Sequence, residues 1–259
     1  MQTEFCHVEI DGHLMIVTLN RPEARNALHR DANFELGAVF DHFEANPDLW
    51  VAIVTGAGDK AFSAGADIKG ATKGDWPVPP SGFAGLVWRF DRRKPVIAAV
   101  NGFAMGGGFE TALASDIIVA ADHASFGLTE PRVGLAALGS GIQRIVEELG
   151  PKRAHAMLLT ARKITAQQAH DMGFVAEVVP AADLLPAARR WAAEIMECSP
   201  ASIMATKAVV RSYGNEGLEA SNRNMFAIPE VKSLLSGPDA REGPTAFAQK
   251  RKPEWANPE

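Results

Sequence analysis

Glu110 is the residue whose setting most demands a chemical explanation. It follows Gly106, Gly107 and Gly108 and sits among Phe109, Ala112 and Leu113, apolar company in which a charge is poorly placed for packing. The glycines read as the opening of a helix, with Glu110 in its first turn. A second carboxylate, Glu130, falls between the stretch 124–126 and Pro131, in a loop or at a strand end. Each glutamate alone reads equally well as a solvated or capping carboxylate. Brought to one site, two carboxylates would have their pKa values pushed apart by repulsion and desolvation, as acid–base chemistry near neutrality requires.

Other candidate chemistries fit less well. The apolar run 51–54 leads into Gly56, Gly58 and Ala61, a G-x-G-x-x-A pattern like that of dinucleotide-binding folds. That pattern needs a helix starting at the glycines and an acidic residue closing a second strand about twenty residues on. Here the second strand would fall in the loop 73–82, whose three prolines and two glycines forbid regular structure. Ser63 and Ser140 each approach a G-x-S-x-G nucleophile elbow without completing it. Cys6 and Cys198 are far apart and without metal-ligand spacing, and no His-x-x-x-His pair occurs, so neither a metal site nor a disulfide is expected. Both thiols are expected to be free and buried.

The 259 residues suffice for one large domain or for a domain with an appendage. A net charge of -5 leaves no basic surplus for nucleic acid, although a few local cations would serve an anionic small ligand. No apolar run is long enough to span a membrane. The first residues, MQTEFC, lack the basic and apolar regions of a secretory signal, so a cytoplasmic location is expected.

The elements that must position the carboxylates are readable in outline. Residues 7–10 and 14–19 predict a hairpin about Asp11 and Gly12. Residues 31–43 predict a helix burying Phe34, Ala38, Phe40 and Phe43. Apolar runs at 51–54, 96–100 and 117–121, joined by segments of helical character, predict an α/β fold with a largely parallel sheet. Thr165 and Gln168 form a capping box, 175–179 is a further strand, and Ser199 with Pro200 opens another helix. The domain organisation expected is a core over 1–180 and a helical extension over 181–259 that packs subunits together.

Three segments carry a resemblance: GAGDKAFSAGADIK at 56–69, KPVIAAVNGFAMGGGFE at 94–110, and ASFGLTEPRVGL at 124–135 followed by GSGIQR at 139–144. With NRPEARNAL at 20–28 and REGPTAFAQKRK at 241–252, five ordered blocks resemble the crotonase (enoyl-CoA hydratase/isomerase) superfamily over nearly the whole chain. The resemblance implies a crotonase-like fold of repeated ββα units and an acyl-CoA thioester as substrate, with no separate cofactor and no metal. It places two oxyanion donors on the N–H groups of Ala66 and Gly107, where small residues allow close backbone approach. It makes Glu110 and Glu130 the pair that holds and activates water, with Glu130 giving the proton to the α-carbon. It puts Ala24, Arg25, Ala64, Ala66, Asp67, Ile68, Lys69 and Gly107 along the CoA path, and implies trimers usually paired into hexamers.

Retention of both glutamates favours water addition, an enoyl-CoA hydratase, over double-bond isomerisation. A decarboxylase, a thioester hydrolase and a non-catalytic CoA- or RNA-binding member are the alternatives within the fold. Two departures stand out: Thr129 where many hydratases have Pro or Ser, and ALGSG at 137–141 where a Pro-Gly-x-Gly-Gly run is common. Both are expected to reshape the acyl pocket. The loop 73–82 with Trp76, and the following Phe83 and Trp88, are expected to wall the acyl end, suiting a short acyl group under a lid or a bulky cyclic one.

Overall fold

Between residues 51 and 127, consecutive strands feed two different sheets in alternation. The computed structural model describes residues 2–67 and 77–258. β1 (Cys6–Asp11) and β2 (Leu14–Leu19) form the expected antiparallel hairpin, with Gly12 at φ 58° in its turn. After α1 (Arg30–Ala45) come β3 (Val51–Gly56), β4 (Ala61–Ser63), β5 (Val96–Val100) and β6 (Phe103–Met105). Next are α2 (Gly107–Leu113), β7 (Ile117–Ala121), β8 (Ser125–Gly127), α3 (Gly141–Leu158), β9 (Ile164–Thr165), α4 (Ala166–Met172) and β10 (Glu177–Val179). One sheet is six-stranded in the order β1-β2-β3-β5-β7-β10, parallel from β2 onward. The other is four-stranded, β4-β6-β8-β9, with β4, β6 and β8 parallel.

β3, β5 and β7 are largely apolar and buried, and every residue of β5 is 0% exposed. The core runs without a break from these strands to Phe62, Ala104, Phe109 and Phe126 of the small-sheet layer. α5 (Leu184–Met196) packs on β3, β5 and β7, burying Leu184, Ala187, Ala188 and Ala192. Beyond it α6 (Pro200–Glu216), α7 (Leu218–Asn224), α8 (Pro229–Ser236) and α9 (Asp239–Gln249) pack mainly on one another. The tail returns to the core: Trp255 Nε1 donates to Glu197 O (2.9 Å), Asn257 Nδ2 to Asp48 (2.6 Å), and Trp50 Nε1 to Asn257 (3.1 Å). Among the described residues no helix is long and apolar enough to cross a membrane.

Local signals place several boundaries. Thr165 and Gln168 close a complete capping box on α4, and Ser199 Oγ accepts from Ser202 N with Pro200 in the first turn of α6. Four expectations need correction. α1 turns Ala32, Leu36, Val39, Phe40 and Phe43 inward, whereas Phe34 and Ala38 are exposed; Phe34 lies under the Arg30 guanidinium, 5.0 Å from the ring centroid. The buried stripe is set by the leucine and valine positions, and Phe34 lies on the opposite side of it. The described part of the link between β4 and β5 holds a 3₁₀ turn at Phe83–Gly85 in place of an α-helix. The last strand begins at Glu177, not at Val175. Cys6 is buried but Cys198, in the turn between α5 and the next helix, is exposed. Both thiols are free.

Candidate active site

Each parallel strand of the small sheet ends in a candidate functional group. β4 runs into Ala64, Gly65 and Ala66; β6 into Gly106 and Gly107; β8 into Glu130. The block 20–28 lies beside the first of these ends. Ala64 N donates to Arg25 O (2.9 Å), Leu28 N to Gly65 O (2.9 Å), and Asp67 N to Leu28 O (3.1 Å). Arg21 Nη1 pairs with Asp67 at 3.0 Å. Ala24, Arg25, Ala64, Ala66 and Asp67 are thereby gathered on one edge, while Ile68 and Lys69 lie outside the described residues, as do Lys73 to Trp76.

Asn26 fastens this edge from behind. It is 1% exposed at φ 55°, and its amide donates to Ala57 O (3.0 Å) and Ala61 O (2.8 Å) while accepting from Arg21 N (3.0 Å). Ser63, one of the serines considered as a nucleophile, is equally structural. Its buried hydroxyl donates to Asn26 O (2.8 Å) and accepts from Gly65 N (3.1 Å).

Close backbone approach explains the glycines. A Cβ on Gly65, at φ 88°, would stand 2.7 Å from Met105 O and 3.0 Å from Gly107 N. A Cβ on Gly108 would stand 2.3 Å from Ser63 O. In the parallel bridge between Leu28 and Ala66, Leu28 bonds to the residues flanking Ala66, so the N–H of Ala66 itself points the other way. Gly107 opens α2, where the N–H groups have no intrahelical acceptor. Phe83 lies over Gly107, its ring 2.7 Å from the Cβ position. Asn33 of α1 holds that turn by accepting from Ala84 N (2.7 Å). Trp88, by contrast, packs on Gly82 and lines an outer groove with Phe34, Pro79 and Asp41.

Glu110 is 5% exposed in the first turn of α2. Phe109 beside it anchors the helix against Phe126 and Phe174, with ring centroids 5.3 and 5.6 Å away. Gly141 N donates to Glu110 Oε1 at 2.9 Å. Cβ atoms on Gly139 and Gly141 would fall 2.5 Å from Oε2 and 2.8 Å from Oε1. Residues 139–141 therefore form a cradle that only glycines at its two ends allow. Burial pushes the Glu110 carboxyl up to about 7; the Gly141 N–H opposes this, Glu130 adds to it, and the Gly139 N–H and Arg144 oppose it further.

Glu130 opens a 3₁₀ turn, Glu130–Val133, three residues beyond the end of β8. Its Oε1 lies 3.0 Å from the Cβ position of Gly106, whose carbonyl accepts from Glu110 N at 2.9 Å. Burial raises the Glu130 carboxyl above its ordinary range. Among the described residues its buried Oε2 has no hydrogen-bond partner. The arrangement offers two carboxylates of raised pKa beside Gly106, and two backbone ends, at Ala66 and Gly107, that approach across Gly65. Sequence reasoning placed Gly139 and Gly141 in a matching block and a departure without connecting them to Glu110, and did not single out Asn26. The signal for the cradle was the Gly-x-Gly after the second glutamate.

Comparisons with known proteins bear on the family and the fold. The enoyl-CoA hydratase/isomerase family model matches residues 9–258. A carnitinyl-CoA dehydratase of Escherichia coli K12 is 43% identical over 258 residues, covering 98% of each chain. The structure of an enoyl-CoA hydratase from Mycobacterium tuberculosis H37Rv aligns with a TM-score of 0.92 at 33% identity, over 98% of this chain and 99% of that one. That of a carnitinyl-CoA hydratase from Mycobacterium avium aligns with a TM-score of 0.77 at 41% identity, over 98% and 99%. The two-sheet fold and these relatives together define a crotonase-type lyase of acyl-CoA thioesters. The chain belongs to the enoyl-CoA hydratase/isomerase family, and its chemistry is of the hydratase/dehydratase kind.

Proposed function

We propose that this chain adds water across the 2,3 double bond of an enoyl-CoA thioester, or removes it from the 3-hydroxyacyl-CoA. The observation that carries the reading is the pair Glu110 and Glu130, a buried and a half-buried carboxylate on either side of Gly106, both with raised pKa values. In hydration, Glu110 takes a proton from water as its oxygen bonds to the β-carbon. The π electrons move toward the thioester oxygen, where the N–H groups of Ala66 and Gly107 hold the enolate charge. Protonated Glu130 then gives its proton to the α-carbon, and passage of the proton from Glu110 back to Glu130 restores the pair. Dehydration runs the same steps backwards.

The relatives named for carnitinyl-CoA are 41–43% identical, against 33% for the M. tuberculosis enoyl-CoA hydratase. This supports a short, substituted 3-hydroxyacyl group, with carnitinyl-CoA as the first compound to test. Exposed Arg25 and the edge formed by Ala24, Ala64 and Asp67 would receive the CoA moiety. Val210, Tyr213, Leu218, Phe226 and Phe247 expose apolar surface on α6 to α9, which supports assembly into trimers or hexamers. A CoA thioester substrate would place the enzyme in the cytoplasm.

The test is the conjugated-thioester absorbance, followed as crotonyl-CoA is hydrated and as carnitinyl-CoA is dehydrated. Turnover that is abolished by both Glu110→Gln and Glu130→Gln is the expected result. Wild-type rates in both variants would exclude the water mechanism.

A further inference from the structure

Ser140 sits where glycine would be unstrained. Its backbone is left-handed, φ 74° and ψ 6°, and it is 8% exposed. Its hydroxyl donates to Val87 O (3.3 Å) and accepts from Arg144 Nε (3.1 Å), and Arg144 Nη2 donates to the same Val87 carbonyl (3.3 Å). One turn of α3 closes the loop, since Arg144 N donates to Ser140 O (3.0 Å). The neighbours of Ser140 on both sides are the glycines that grip Glu110.

Resting on the assignment of Glu110 to water activation, we infer that Arg144, acting through Ser140, is a positioning residue that fixes the Gly139–Gly141 cradle on the Glu110 carboxylate. The planar guanidinium suits this task because it reaches a hydroxyl and a carbonyl with two donors at a fixed separation. The same node ties the cradle to Val87, four residues after the Phe83 that lies over Gly107. Both walls of the site are therefore referred to one side chain. The Phe90 ring, 5.7 Å from the guanidinium, covers Arg144. Charged groups facing Arg144 are Arg92, Asp116, Glu147 and Glu148; those facing Glu110 are Glu130 and Arg144 itself.

The sign of the pH effect follows from which form the node favours. N–H donors and a cation favour ionised Glu110, so loosening them raises its pKa and moves the acid limb of hydration upward. Ser140→Gly removes the link while relieving the left-handed strain. It is expected to melt no lower than the wild type, to lose roughly 10- to 100-fold in kcat with KM little changed, and to shift the acid limb to higher pH. Arg144→Lys keeps the charge and loses the fork, and is expected to lose kcat with a smaller limb shift than Arg144→Met. Measurements use whichever of crotonyl-CoA or carnitinyl-CoA the wild type turns over. Wild-type kcat and pH limb in Ser140→Gly and Arg144→Met, beside an inactive Glu110→Gln, overturn the positioning role alone. Wild-type turnover in Glu110→Gln overturns the reading on which that role rests. Activity lost only in step with melting temperature, with an unmoved limb, reduces the node to structural support.

Discussion

Two carboxylates bracket α2, and the protein treats them oppositely. Asp116, just beyond the helix, pairs with Arg92 Nη2 at 2.8 Å and with Lys207 Nζ, and accepts from Val96 N at 2.8 Å. Its surroundings would by themselves raise its pKa, but the two cations more than offset this and hold the carboxyl below its ordinary range. Glu110, at the start of the helix, has backbone N–H groups in place of a paired cation, and burial pushes it up to about 7. Formal charges fix a carboxylate in one state. Neutral dipoles in apolar company leave it able to change state near neutral pH, which is the condition for general acid–base work. Depth contributes to the difference, since the Asp116 side chain is 29% exposed, and the choice of partner does the rest: two cations for Asp116, backbone N–H groups for Glu110.

That contrast can be broken or sharpened by substitution. Glu110→Gln is expected to lower kcat by about 10²- to 10⁴-fold while leaving the fold intact. Because the folded pKa of Glu110 lies above the ordinary 4.5, its ionisation opposes folding. The stability difference is absent below the unfolded pKa and is lost to the wild type as pH rises through about 7. The variant should therefore melt higher than the wild type at about pH 8.5, by on the order of 3 kcal/mol, and lose that advantage near pH 4. Calorimetry at the two pH values checks this. Gly139→Ala comes next: its methyl would fall 2.5 Å from Glu110 Oε2, the movable end of a side chain. It should cost roughly 10- to 100-fold in kcat with little change in melting temperature.

Asp116→Asn should do the reverse, destabilising by roughly 1–3 kcal/mol with kcat changed less than about twofold. Its folded pKa is depressed, so the stability it contributes is present above the ordinary aspartate range and fades in acid. Denaturant titrations at neutral and acidic pH would show the gap between wild type and variant closing. Lys207→Met, which removes one of two cations from Asp116, should be the mildest, at about 1 kcal/mol or less by the same titration.

How far the chain could be read in advance follows the length of each signal. The strands at Val96–Val100 and Ile117–Ala121 fall on the expected residues because a buried parallel strand is a continuous apolar run with sharp ends. The caps at Thr165 and Ser199 were legible because each uses one side chain on one nearby N–H. β4, β6 and β8 were not legible strand by strand, since a three-residue strand shows no periodicity. Phe34 misled because two helical stripes share the 3.6-residue spacing and only packing chooses between them. The glutamates were conspicuous as charges in apolar settings. The cradle that sets Glu110 was hidden, since Gly139 and Gly141 act through atoms they lack and through contacts about thirty residues away along the chain.

The small sheet has a consequence for how such an enzyme can change its substrate. Its three parallel strands lead into the segments that carry Ala66, Gly107 and Glu130, so the points at which these segments leave the sheet are spaced by the hydrogen-bonded strands, about 4.8 Å apart. That ruler is made of main chain and is indifferent to side-chain exchange. The wall at Phe83 belongs to a separate connection outside the ladder. On the proposed function, substrate range would drift through the wall while the strand ends keep their spacing, which makes the connection after residue 77 the natural place to redesign the enzyme.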